Sequence, residues 1–211
     1  MRTAYRATIY HCLADPGRDS AGAATEYHED GMLVVDEGRI VEVGPAATIA
    51  ASLGDGTVVE DLGGKLILPG FIDCHVHGGA GCDTMDASVD SLATMARFFA
   101  EHGVTSFTPT TMTATHDDSL AAIRAVRDYR ADDSPGSRVL GVHLEGPYLS
   151  PKFPGAQLAD AIRKPDVAEF TELVESGPVI MITLAPEEPG ANQLMAAAQD
   201  AGVAVVIGHT N

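Results

Sequence analysis

From Leu66 onward, Val/Ile/Leu-rich runs alternate with segments of helical period, and this alternation restricts the chain more than any other feature. The runs are "LILPGFIDCHVH", "VTSFTPTT", "RVLGVHLEGPY", "VIMITLAPE" and "VAVVIGHT". Between them fall "DSLATMARFFAEHG", "THDDSLAAIRAVRDYRAD", "DVAEFTELVESG" and "NQLMAAAQDAG". Several of these begin near Asp, Thr or Asn and end at Gly, as helix caps prefer. Strands that are apolar throughout are covered on both faces, which implies a parallel sheet with right-handed crossovers. An open doubly wound sheet and part of an eight-stranded β/α barrel both satisfy the pattern. The polar residues point to the barrel. His75, His77, Thr110, Thr111, Glu145, Glu187 and His209 sit at or just past the C-terminal ends of their strands, and that end is a barrel's active-site face. The expected fold is therefore α/β, a partial TIM-like barrel of about five of the eight β/α units. Five strands cannot close such a barrel, so an isolated chain of this kind would expose a strand edge and apolar surface. Self-association and little turnover are expected of it, and a monodisperse, active monomer by light scattering and assay would contradict this.

Residues 1–66 have a different texture. Short β-rich runs, "ATIYHCL", "GMLVVDEGRIVEVG" and "TVVEDLGGKLIL", are separated by turn chemistry at Glu37-Gly38 and Gly63-Gly64, which predicts a small antiparallel module. The organisation read from the sequence is thus 1–66 followed by 67–211.

Composition removes several function classes. Thirty acidic against thirteen basic residues give a formal charge of −17, which repels nucleic acid and anionic membranes and favours cations. The three cysteines, Cys12, Cys74 and Cys82, show neither a disulfide framework nor C-x-x-C spacing, and suit a reducing compartment. The start "MRTAYRATIYHCLADPG" lacks the pattern of an export signal, and no apolar run reaches spanning length. A soluble, cytoplasmic location is expected.

The candidate chemistry is that of a metal. Two residues apart on a strand, His75 and His77 point to one face and can approach one cation; alone, such a pair also serves packing. Glu145 ends an otherwise apolar strand, where a buried carboxylate needs a cation or hydrogen bonds. Either a metal or backbone N–H groups of the Gly146-Pro147 turn would serve. His143 shares its strand parity and is either a residue orienting a ligand or a packed core histidine. With His209, the set His75, His77, Glu145 and His209 lies on three strands facing one mouth, in the ligand types of a hydrolytic metal site, with zinc or iron as the fitting ions. The glycines of "HGGAGCD" match no phosphate-binding fingerprint and read as a flexible loop. No nucleophile elbow is present, and nothing marks Cys82 as an activated thiol.

At these residues the chain resembles the amidohydrolase superfamily, and within it the N-acetylglucosamine-6-phosphate deacetylase family. The similar blocks are "PGFIDCHVHGG", "GVTSFTPTTMTA", "GVHLEGPYLSPKFPGAQ", "TLAPE" and "VVIGHTN", in that order. The resemblance implies a metal-dependent β/α barrel beside a β-sandwich built partly from the N-terminal segment. It implies hydrolysis of the acetamide of N-acetylglucosamine 6-phosphate to glucosamine 6-phosphate and acetate. Glu145 and His209 would be metal ligands, His75 and His77 would hold a second ion in members that keep both, and Ala156 and Gln157 would contact the sugar. The divalent ion, one or two per chain, would activate water and stabilise the oxyanion. The family's catalytic Asp, a further histidine ligand and phosphate-binding residues, some supplied across a homodimer, match nothing in residues 1–211. Residues 1–70, notably "EYHEDGMLVVDEGRIVEVGP", also resemble guanine deaminase N-termini, joined at the shared "LPGFID". Two other readings stay open: a deaminase or cyclic amidase of the same superfamily, or an inactive fragment that binds metal or a partner.

Overall fold

A computed structural model of the chain describes residues 2–14, 24–130 and 135–211. It divides into two compact units, Met1–Pro69 and Gly70–Asn211.

In the first unit, strands β1 (Thr3–Cys12), β2 (Thr25–Asp36), β3 (Arg39–Pro45) and β4 (Val58–Ile67) form one sheet in the order β3-β2-β1-β4, with helix α1 (Ala46–Ala50) after β3. The β2–β3 turn falls where the sequence placed it. Glu37 and Gly38 have φ of 48° and 75°, the left-handed pair that a two-residue hairpin turn requires. Two expectations are corrected. The sheet is mixed, because residues 46–57 carry the chain back to its start and β4 pairs parallel to β1, Thr3 opposite Val58. Gly63-Gly64 is a bulge inside β4 instead of a turn: the pairing jumps from Arg6↔Asp61 to Thr8↔Leu66, leaving the intervening residues out of the ladder. Ala4, Met32, Val34, Ala46 and Ile49 form the core between sheet and helix. Among the described residues this unit contains one sheet, one layer of the sandwich expected there.

The second unit runs β5 (Phe71–Val76), a short ladder of β6 (Gly78–Gly79) with β7 (Cys82–Asp83), α2 (Val89–Glu101), β8 (Val104–Pro109), α3 (His116–Arg130), β9 (Arg138–Val139), β10 (Val142–Glu145), α4 (Val167–Ser176), β11 (Val179–Leu184), α5 (Ala191–Asp200) and β12 (Ala204–Ile207). Parallel ladders join β5-β8-β9 and β10-β11-β12, and a parallel bridge between Thr110 and His143 connects them. The major strands are therefore ordered β5, β8, β10, β11, β12, as in the sequence. A doubly wound sheet reverses its strand order at a switch point; this one does not, and it is a sector of a β/α barrel. Helices and strands share a core that includes Met95, Phe107, Ile123, Leu144, Leu173 and Ile182. Phe71 and Ile72 on β5 and Ile207 on β12 are more than 60% exposed, since the first and last strands of an open sector have a neighbour on one side only.

The expected caps are met in part: Asp166 caps α4 as read from the sequence, α2 is capped by Ser88, two residues ahead of the expected Asp90, and α5 starts at Gly190 with no side-chain cap. Ser88 accepts a hydrogen bond from Ser91 N ahead of α2, and Asp166 accepts from Ala168 N and Glu169 N ahead of α4, at 2.8 and 3.1 Å. The last two residues predicted for α3, Ala131 and Asp132, lie outside the described residues.

Two predicted runs are divided. "LILPGFIDCHVH" breaks at Pro69-Gly70, where proline has no N–H to give a ladder; Leu66 and Ile67 pair with β1 while Phe71–Val76 pairs with β8. "RVLGVHLEGPY" breaks at Leu140-Gly141, so that β9 joins β8 and β10 joins β11. A Cβ on Gly141 would stand 2.6 Å from both Ile180 Cγ2 and Pro178 O, so glycine permits the close approach of β10 to β11. The "HGGAG" glycines form an ordered ladder where a flexible loop was expected: a Cβ on Gly78 would come within van der Waals contact of the Cys82 carbonyl, so these backbones pack face to face. Among the described residues no helix is long and apolar enough to cross a membrane.

Candidate metal centre

Four predicted residues converge at the C-terminal ends of the parallel strands. β5 leads into His75 and His77, β10 ends on Glu145, and β12 is followed by His209. Glu145 is 6% exposed and is the hub. Its Oε2 lies 3.1 Å from His77 Nε2 and 3.6 Å from His75 Nε2; its Oε1 lies 3.1 Å from His209 Nε2. Donor atoms of His75, His77 and Glu145 all fall within 4.8 Å of one another, an arrangement that could hold a metal ion.

Backbone groups orient the imidazoles. His77 Nδ1 is 3.1 Å from the Thr110 carbonyl, and His209 Nδ1 is 3.0 Å from the Phe153 carbonyl. A carbonyl only accepts, so each Nδ1 carries the hydrogen and each Nε2 of a neutral ring is a lone pair aimed at the carboxylate. Both rings thus face acceptors at both nitrogens. A neutral imidazole has one N–H, so the arrangement is short of positive charge, to be supplied by protons or by a cation. The electrostatics have the same sense. The Glu145 carboxylate raises the His77 pKa above its ordinary value despite burial. Burial pushes the Glu145 carboxyl up, but the His77 hydrogen bond and the nearby imidazoles outweigh it and hold the group below the usual carboxylate range.

The supporting residues are fixed in turn. Gln157 is buried, its Oε1 accepting from Thr113 N at 2.6 Å and its Nε2 donating to Glu145 Oε2 at 2.9 Å. Because Thr113 N is an obligate donor, the amide orientation follows from the network. Ala156, beside it, is exposed. Glu145 N donates to Thr111 Oγ1 at 3.2 Å, and Val76 N donates to Thr110 Oγ1 at 3.0 Å, which gives the two strand-end threonines a structural task. His143 uses both nitrogens, Nδ1 toward the Cys74 carbonyl at 3.1 Å and Nε2 toward Thr183 Oγ1 at 2.7 Å. Its ring meets that of His75 edge-on at 5.0 Å. Burial lowers its pKa, so it is a neutral core histidine that braces His75. Glu187 stands apart and accepts from Thr210 Oγ1 and Asn211 N.

His209 has a φ of 51°, a left-handed conformation that costs a residue with a Cβ about 1–2 kcal/mol. The Phe153 and Glu145 bonds hold it there. A Cβ on Gly155 would lie 3.0 Å from His209 Cε1, and Gly155 itself has a φ of +56°, so glycine is needed where the loop crosses the ring. The Phe153 carbonyl and Thr113 were not read from the sequence. The Pro154-Gly155 dipeptide, a turn signal, was the available clue that this loop folds back on the site.

The Amidohydrolase family matches residues 66–210 of the chain. An N-acetylglucosamine-6-phosphate deacetylase of Bacillus subtilis is 40% identical over 152 residues, 70% of this chain and 38% of that protein. An N-acetylgalactosamine-6-phosphate deacetylase of Escherichia coli O157:H7 is 38% identical over 72% of this chain and 41% of its own length. The solved structure of an N-acetyl-D-glucosamine-6-phosphate deacetylase mutant from Mycobacterium smegmatis superposes with a TM-score of 0.82 at 30% identity, over 99% of this chain and 50% of that one. The chain therefore spans half or less of the length of these relatives. A match over every strand that bears a converging side chain leaves one assignment: the chain belongs to the amidohydrolase family.

Proposed function

We propose that this chain contributes the His75, His77, Glu145 and His209 portion of a metal-dependent deacetylase acting on N-acetylglucosamine 6-phosphate, with glucosamine 6-phosphate and acetate as products. The observation that carries the reading is the charge deficit at Glu145, whose two oxygens face imidazole nitrogens already bonded on their far sides to carbonyls. Neutral imidazole and carboxylate donors fit zinc or iron. Glu145 and His209 would hold one ion, with His75 and His77 able to hold a second against the other carboxylate oxygen.

Such an ion supplies activation of water and polarisation of an amide carbonyl. The chain's own residues prepare the place. Thr110 and Phe153 carbonyls fix which imidazole nitrogen faces inward, and Gln157 fixes the carboxylate plane, so the donors need little reorganisation to share a cation. Ala156, exposed next to Gln157, is available to the sugar. The names of the relatives above support the acetylated amino-sugar phosphate as substrate, in either hexosamine configuration.

A chimaera in which residues 66–210 replace the matching part of the Bacillus subtilis deacetylase tests this. Acetate release from N-acetylglucosamine 6-phosphate is expected, faster than from N-acetylgalactosamine 6-phosphate. A chimaera that folds by circular dichroism, binds metal and releases no acetate from either would overturn the reading.

A further inference from the structure

The first unit carries a second cluster of ligating side chains. His11 on β1 lies directly opposite Glu26 on β2, and His28 lies two residues further along β2, opposite Ile9. Side chains at cross-strand and i, i+2 positions project from one face of a sheet. Donor atoms of His11, Glu26 and His28 all lie within 4.8 Å of one another.

The contacts in this cluster are not those of a hydrogen-bonded triad. Nε2 of His11 and of His28 lie 3.3 and 3.2 Å from Glu26 Oε2, yet both nitrogens are withdrawn from solvent and neither has a hydrogen-bond partner among the described residues. The distances are short, but the ring nitrogens are not aimed at the oxygen. Two ligands about 2.0 Å from one tetrahedral zinc stand about 3.3 Å apart, the separation found here for both nitrogen–oxygen pairs. The two imidazole side chains are 14% and 15% exposed, whereas Glu26 is 47% exposed, which leaves an approach from solvent on the carboxylate side. A buried imidazole nitrogen without a partner is destabilising, and a shared cation would satisfy both at once.

We propose that His11, Glu26 and His28 form a separate site for a borderline divalent transition ion such as zinc. Two imidazoles and a carboxylate fill three positions of a tetrahedral ion, and water takes the fourth. The ion would fasten β1 to β2 near their Cys12↔Thr25 pairing. This site is independent of the proposed deacetylase reading.

The test uses the full 211-residue chain, stripped with chelator and dialysed against buffered Zn2+, with metal counted by atomic emission. The unvaried chain is expected to hold one more equivalent than Glu26→Gln or His28→Asn, and the same difference is expected in a Glu145→Gln background. Cobalt in that background should give the visible absorption of a tetrahedral ion, lost in Glu26→Gln. Glu26 is exposed, so its variant is informative even where His28→Asn does not fold. Equal zinc content in the unvaried and Glu26→Gln chains, or no tetrahedral cobalt spectrum, would overturn the proposal.

Discussion

Glu145→Gln is expected to lower zinc affinity at the barrel-sector cluster by more than about 100-fold, the upper end of what is lost when a residue that merely orients a ligand is removed. The substitution keeps shape and removes one negative charge. The introduced side chain could turn its carbonyl oxygen toward the Gln157 amide and its own amide N–H toward the His209 Nε2 lone pair, so the positions now 2.9 and 3.1 Å apart would still pair. The carboxylate charge would be gone and the mismatch at His209 relieved, leaving only His77 Nε2 facing an oxygen, so the demand for a cation would be much reduced. Neutralising a buried charge that lacks full compensation does not destabilise a fold, so the stripped variant should melt at or above the temperature of the stripped parent. In a Glu26→Gln background, which removes the first unit's proposed site, added zinc should raise the melting temperature of the chain that keeps Glu145 and leave that of Glu145→Gln unchanged. Chelator competition and scanning calorimetry measure both. Zinc affinity within tenfold of the parent would show that the histidines bind without the carboxylate, and that the hub is elsewhere.

The sequence shows the periodicity of this fold and hides its joints. Each predicted helix is present because amphipathic period and caps are local properties: Asp166 caps α4 with its own side chain. Strand-end chemistry was legible for the same reason, since His75, His77, Glu145 and His209 each terminate an apolar run and parallel strands align their ends. What decided the division of "RVLGVHLEGPY" was the approach of Gly141 to Ile180, a contact between residues 39 positions apart that no local pattern announces. The second unit's strand order needed the Thr110–His143 bridge for the same reason. His143 illustrates the limit at the site: its parity with Glu145 was readable, but its neutral, braced role depends on Cys74 and Thr183. The His11, Glu26 and His28 cluster escaped sequence reading entirely, because it needs the β1–β2 register, which is set by pairings and not by spacing.

Arg163→Ala is expected to destabilise the second unit by about 3 kcal/mol, the lower end of the range for removing one partner of a buried ion pair. Arg163 Nε is 3.0 Å from both Glu169 carboxylate oxygens, and its Nη1 donates to the carbonyls of Ala114 and Ala161. Glu169 also accepts from the Tyr148 hydroxyl at 3.1 Å and meets His116 at 3.2 Å, so one carboxylate ties α3, α4 and the loop before α4 together. The side chains are 29% and 16% exposed, so the pair is partly buried, which places the expected cost at the lower end of that range. For a chain of this size, about 3 kcal/mol corresponds to roughly 6–12 °C in melting temperature. The effect should depend on pH with a defined sign. Burial pushes the Glu169 carboxyl up, but the Arg163 hydrogen bonds and charge outweigh it and hold the folded-state pKa below its ordinary value of 4.5. A depressed pKa contributes stability that is present above about pH 4.5 and is lost as pH falls through the folded value. Without Arg163, burial acts on Glu169 with less opposition and its pKa should rise, so the variant should lose less stability than the parent on acidification. The gap between the two melting curves should therefore be widest near neutral pH and narrow below about pH 4.5. Glu169→Gln closes the cycle: if the pair is the cause, Arg163→Ala should cost much less in that background. A gap independent of pH, and unchanged by Glu169→Gln, would assign the stabilisation to the Ala114 and Ala161 carbonyl bonds instead of to the charge.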